Sequence, residues 1–200
     1  MDTPHLAKLL MKHGSAPERY ASATLDSLRP EQDPGGVVTG WPATDVPVLV
    51  LVGRTHVGKT YAGCALINGY APADPESDWG ARYFRCLDLV NPDGSVRDAG
   101  DLSTARTAGL LFLDGLGTLL LDAGLRSPIT PDLPSPVLYE LIDARLGERK
   151  PTVVATNLAV GDAVPYPGVP TFEQVYGKIA DRLLYRATVA HLIGPEVLAE

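Results

Sequence analysis

Val46-Pro47-Val48-Leu49-Val50-Leu51-Val52 runs directly into Gly53-Arg54-Thr55-His56-Val57-Gly58-Lys59-Thr60, and this junction decides how the chain folds. The first stretch is apolar without alternation and rich in β-branched residues, as a central parallel strand covered on both faces requires. The second fits GxxxxGKT, a turn whose glycines bring backbone N–H groups against phosphate oxygens at the N-terminus of the next helix. In that pattern Lys59 reaches the β- and γ-phosphates and Thr60 places its hydroxyl on Mg²⁺. The expected cradle is therefore Gly53, Arg54, Thr55, His56, Val57, Gly58, Lys59 and Thr60, with Tyr61 behind it.

Further out, strand-like runs at residues 82–90, 109–113, 152–155 and 188–193 alternate with helical stretches at 59–68, 136–147 and 172–185. Such alternation predicts an α/β domain with a mainly parallel, five-stranded sheet. Upstream, Thr3-Pro4 followed by Leu6, Leu9, Leu10 and Gly14 reads as a short capped helix, packed on its own domain or docking a partner. Residues 30–45 carry three prolines and three glycines and read as a loop, as do the proline-rich stretches 122–136 and 161–170. The expected organisation is an N-terminal helix and lead-in over residues 1–40, then a single core over 41–200.

A phosphate site of this kind needs a carboxylate at the end of a neighbouring strand to steady the metal. Leu110-Leu111-Phe112-Leu113-Asp114 supplies one, so Thr60 and Asp114 are the expected metal pair. Thr152-Val153-Val154-Ala155 ends in Thr156-Asn157, where the Asn157 amide either orients a water near the γ-phosphate or caps a turn. Arg182, on the otherwise apolar Ile179-Ala180-Asp181-Arg182-Leu183, is either a charge stabiliser offered to a neighbouring subunit or a partner of Asp181 or a glutamate on the surface.

Composition narrows the setting. Hydrophobic residues make up 45% and charged residues 20% of the 200, ordinary for a globular protein. The net charge of -7 gives no support for nucleic-acid binding, which draws on a basic surface. No apolar run nears the ~20 residues that cross a bilayer, no secretory signal opens the chain, and two cysteines are too few for a disulfide framework. Cys64 and Cys86 are expected as buried, reduced thiols in a cytoplasmic protein.

Taken in order, these segments resemble the DnaC/IstB-like branch of the AAA+ ATPases, which includes helicase loaders and transposition helper ATPases. Residues 16–25 look like the family's lead-in, Leu111-Phe112-Leu113-Asp114-Gly115-Leu116-Gly117 its Walker B segment, and residues 138–145 with Lys150-Pro151-Thr152 and Ala155-Thr156-Asn157-Leu158 its third helix and sensor 1. Ile179-Ala180-Asp181-Arg182-Leu183 is similar to its box VII. The resemblance implies a three-layer αβα core that binds ATP or ADP with Mg²⁺ between subunits of a homo-oligomer. It makes Arg182 an arginine finger, places Tyr20 near the base, and implies a replicative ring helicase or a transposase as partner.

The sequence departs from that family at four places. His56 stands where another glycine is usual, so the loop must accept a Cβ there. Gly115 stands where a catalytic carboxylate is usual, which predicts tight ATP binding with slow hydrolysis. Ile193-Gly194-Pro195-Glu196-Val197 offers no sensor 2 arginine, and the residues left before Glu200 are too few for a helical lid domain. Residues 91–108, short and rich in Gly and Asp, are poor material for a DNA-gripping helix.

Overall fold

β1 (Val48–Val52) is buried at every residue because both of its faces are covered. The computed structural model describes residues 14–70, 80–91, 93–117, 136–161 and 171–193. Within them β1 is joined by β2 (Ala81–Arg85), β3 (Leu110–Leu116), β4 (Thr152–Thr156) and β5 (Ala187–His191) in the order β2-β3-β4-β1-β5. Every pairing is parallel, with Val52 level with Thr156 on one side and His191 on the other. The sheet is thus wholly parallel, where the sequence predicted mainly so.

The helices are α1 (Val37–Gly40), α2 (Lys59–Gly69), α3 (Cys86–Leu89), α4 (Ala99–Thr107), α5 (Pro136–Gly147), α6 (Phe172–Tyr176) and α7 (Lys178–Leu184). Alternate strand residues face opposite layers. Leu49, Leu51, Phe112, Val153 and Ala155 pack under α2, together with Ala23, Val38 and Trp41 from the segment before β1. Val50, Leu111, Leu113 and Val154 face the other way, against Leu138 and Ile142 of α5, Phe172 of α6 and Leu183 of α7. The architecture is a three-layer αβα sandwich. Cys64 and Cys86 are buried in its two layers as free thiols, as expected.

Layer contact is closest where α2 crosses β3. A Cβ on Gly63 would lie 2.2 Å from the ring of Phe112, itself fully buried. Gly63→Ala gains ~1 kcal/mol of helix propensity, but it forces α2 off the sheet at an overpacking cost of typically 1–3 kcal/mol. A lowered urea midpoint at unchanged slope is the expected outcome, and a raised midpoint would contradict this packing.

Three sequence expectations are corrected. Residues 30–45 are not a plain loop: Pro34–Gly36 and Trp41–Ala43 form 3-10 turns around α1, because Asp33 accepts from the N–H groups of Val38 (2.6 Å) and Thr39 (3.2 Å) and so starts the helix. The strand expected at 82–90 stops at Arg85, where Asp88 accepts the Arg85 N–H at 3.2 Å and opens α3. The helix expected at 172–185 is two, broken at Gly177, whose φ of 44° and ψ of -117° lie outside any helix. Residues 91–108 include a helix, α4, whose N-terminus is capped by Asp98, which accepts from Asp101 N at 2.9 Å. The helix expected at residues 3–13, the proline-rich stretches over most of 118–135 and 162–170, and residues 194–200 lie outside the described residues. Among the described residues no helix is long and apolar enough to cross a membrane.

Candidate nucleotide site

Ligands of open parallel sheets bind beyond the C-terminal strand ends, and there β1 delivers Gly53, β3 carries Asp114 and β4 leads into Asn157. The Gly53 N–H donates to Thr156 O at 3.3 Å, which ties the loop to β4. His56 sits at φ 69°, in the left-handed region that His tolerates better than most residues, so the loop does accept a Cβ there. Val57 turns away from the loop's open side into the core beside α2.

Lys59 opens α2 and is buried, with Nζ donating to Gly53 O and Arg54 O, both at 2.7 Å. An ammonium has three donors, so two of them brace the loop and one remains for an incoming oxygen. Burial lowers its pKa from 10.5 to about 8, while the Asp114 carboxylate pulls the other way. At the next residue, Thr60 Oγ1 donates to Asp114 Oδ2 at 2.9 Å. A hydroxyl that donates its one proton keeps its lone pairs, so this pair can coordinate a hard cation and hold its water without rearranging.

A cavity of about 640 Å³ opens over these groups, bordered by Thr55, His56, Gly58, Lys59, Thr60, Tyr61, Asp114 and Asn157, with Tyr20 and Arg19 on the lead-in side. Its volume is in the range of small-molecule sites. Tyr20 and Tyr61 meet edge to face with centroids 6.2 Å apart, the Arg19 guanidinium lies 4.8 Å above the Tyr20 ring, and the Tyr61 hydroxyl bonds Ser27 Oγ at 2.7 Å. The donor set fits a magnesium–nucleotide: one ammonium, loop N–H groups at a helix start, a hydroxyl–carboxylate pair, and flat aromatic surface at the far end.

No protein-family model and no curated protein matches the sequence. Solved structures do. The crystal structure of DnaI is similar with a TM-score of 0.61 at 18% identity, covering 90% of this chain and 92% of that one. The DnaC helicase loader is similar with a TM-score of 0.58 at 20% identity, over 88% of this chain and 100% of that one. DnaA from Aquifex aeolicus, solved with AMPPCP bound, has a TM-score of 0.53 at 14% identity, over 86% of this chain and 50% of that one. The fold is the AAA+ core.

Within this AAA+ core Gly115 adopts φ 76° where β3 slips register against β4 between Leu113 and Leu116. A side chain there would meet a left-handed backbone that costs about 1–2 kcal/mol, so a carboxylate is not simply grafted at this position. Arg182 is not among the residues bordering the cavity of its own chain. It forms an ion pair with Asp143 of α5, not with Asp181 or a glutamate as the sequence suggested, and its side chain is 57% exposed.

Sequence reasoning missed several residues of the candidate site. Arg19, Gln32 and Arg85 border the cavity, Arg85 held at its rim by Asp88 at 2.6 Å. Tyr83 of β2 donates to Asp114 Oδ2 at 3.2 Å. Burial, with the Asp114 carboxylate beside it, pushes the Tyr83 phenol above its ordinary range, so it stays a donor. Only the strand order, which puts β2 beside β3, could have signalled it.

Proposed function

We propose that this chain binds Mg²⁺–ATP, hydrolyses it slowly, and uses the bound nucleotide to assemble with further copies of itself as a helicase-loader-like AAA+ protein acting in DNA replication. The observation that carries the nucleotide reading is the hydroxyl–carboxylate pair Thr60–Asp114, with Thr60 directly following the Lys59 whose ammonium braces the loop. Slow turnover follows from Gly115: without a general base the chemical step loses roughly 10²–10⁴-fold. The likeness in fold to the DnaC helicase loader supports a replicative ring helicase as partner, in the cytoplasm. Gly115 also favours a second reading, a scaffold that signals through its assembly state and barely turns over. The acidic balance of -7 lends no support to direct DNA binding in either.

Assembly through the nucleotide rests on Arg182. Arg182 is 57% exposed in its ion pair with Asp143, and pairs open to solvent on one side are worth about 0–1 kcal/mol. A neighbour's triphosphate would readily draw the guanidinium away. Calorimetry with Mg²⁺–ATP is expected to give one site per chain, and a folded sample that releases no heat would overturn the reading. Sizing with ADP, with a slowly hydrolysed ATP analogue and without nucleotide is expected to show a larger species with the analogue alone. Arg182→Ala should bind ATP as the natural chain does yet fail to form that species. If it loses binding as an isolated subunit, Arg182 acts within its own chain. A pulldown retaining a transposase instead of the ring helicase would make the protein a transposition helper.

A further inference from the structure

The carboxylate of Asp114 is gripped from two sides. Thr60 Oγ1 reaches Oδ2 from the phosphate loop at 2.9 Å, and the Tyr83 hydroxyl reaches the same oxygen from β2 at 3.2 Å. Among the described residues no donor meets Oδ1. Tyr83 itself has little freedom. It is 8% exposed, its ring meets Phe112 edge-on at 5.4 Å, and its N–H donates to Gly14 O at 2.6 Å. The tyrosine is therefore a rigid post, built into the sheet next to the strand that carries Asp114, with its single polar atom aimed at one carboxylate oxygen.

Groups that bond to metal ligands from behind fix the orientation of those ligands, and their loss typically lowers metal affinity 10–100-fold. A carboxylate with one oxygen pinned by two donors can turn only its other oxygen outward. We propose that Tyr83 is a positioning residue for the metal: it pins Oδ2 of Asp114 so that Oδ1 faces the water shell of the Mg²⁺ that accompanies the nucleotide. This rests on the magnesium–nucleotide reading above and adds to it the residue that sets the geometry of the metal's carboxylate. Thr60 alone would leave the Asp114 side chain hinged on one hydrogen bond to a residue that must also serve the cation.

The test compares ATP affinity in excess EDTA with affinity in Mg²⁺, for the natural chain and for Tyr83→Phe, which keeps the ring and its packing. The ratio of the two affinities is expected to fall about tenfold in Tyr83→Phe, with the EDTA value unchanged. In an Asp114→Ala background Tyr83→Phe is expected to change nothing further, because the phenol acts only through that carboxylate. Equal loss in EDTA and in Mg²⁺, or a further loss in the Asp114→Ala background, would make Tyr83 merely structural and overturn the proposal. An unchanged ratio in Tyr83→Phe, with the natural chain gaining from Mg²⁺, overturns this inference alone. A natural chain that binds ATP without gaining from Mg²⁺ overturns the metal reading as well.

Discussion

Lys59→Ala is expected to weaken Mg²⁺–ATP binding by on the order of 10²–10³-fold, as truncating one partner of a buried charge pair does, while the chain stays folded. The ammonium is seated inside the phosphate loop, braced by the carbonyls of Gly53 and Arg54. Its removal leaves the phosphate oxygens without the cation buried beneath the loop. The fold should not suffer in proportion. Burial depresses the Lys59 pKa from 10.5 to about 8, so the unfolded chain binds more protons between those values. Stability attributable to this residue therefore rises as the pH climbs from 8 to 10.5, and below pH 8 the charged lysine is a burden on the fold. Alanine removes that burden.

The same lowered pKa gives the natural chain a pH signature in binding. Phosphate needs the protonated ammonium, so ATP affinity should be flat below pH 8 and fall by up to tenfold per unit above it. Calorimetry at pH 7, 8 and 9 with Mg²⁺ checks the trend. A flat profile across that range, or Lys59→Ala binding ATP as tightly as the natural chain, would contradict the assignment.

Arg145→Met should be the most damaging substitution outside the site, costing on the order of 4 kcal/mol. Arg145 is 1% exposed on the inner face of α5. Its Nε donates to Thr152 Oγ1 at 3.0 Å, Nη2 to Pro151 O at 2.6 Å, and Nη1 to the carbonyls of Ala105, Arg106 and Ala108 at 3.0, 3.2 and 2.8 Å. One guanidinium thus closes the C-terminus of α4 and holds the start of β4. Burial lowers its pKa to about 10, which still leaves it charged at neutral pH. Methionine matches its volume but leaves several buried carbonyls without donors, each worth about 1–3 kcal/mol. Since a domain is stable by only about 5–15 kcal/mol, the variant should lie near the edge of folding. Arg145→Lys should also fail to recover stability, because one ammonium cannot span acceptors arranged for a planar fork. Urea unfolding reads both, and a loss under 1 kcal/mol in Arg145→Met would show that water replaces the guanidinium.

The parts of this fold legible in the sequence are those fixed by neighbours in the chain. β1 announced itself because burial on both faces permits only an apolar run, and the loop after it because phosphate geometry permits few residues. α3 was hidden because Phe84, Cys86, Leu89 and Val90 are apolar in a strand or in a helical turn alike, and only the Arg85–Asp88 contact decides. α4 was hidden because just one of its residues, Ala105, is buried, so it carries no apolar stripe. Asp114 could be expected from a strand ending in a carboxylate, but its partner Tyr83 could not, since an isolated tyrosine in an apolar strand looks like any core aromatic. Asp143 escaped for the same reason: its pairing with Arg182 depends on α5 and α7 lying side by side.

The two native thiols have a practical consequence. Cys64 and Cys86 are both buried, and burial, with Asp114 nearby, pushes the Cys64 pKa up to about 12 and that of Cys86 upward as well. Maleimides attack thiolate on accessible sulfur, so neither position should take up a dye while the protein is folded. A cysteine introduced at Tyr185, 82% exposed just before β5, would then be the sole labelling handle. It would let fluorescence energy transfer follow copies of the chain coming together with both native cysteines left in place.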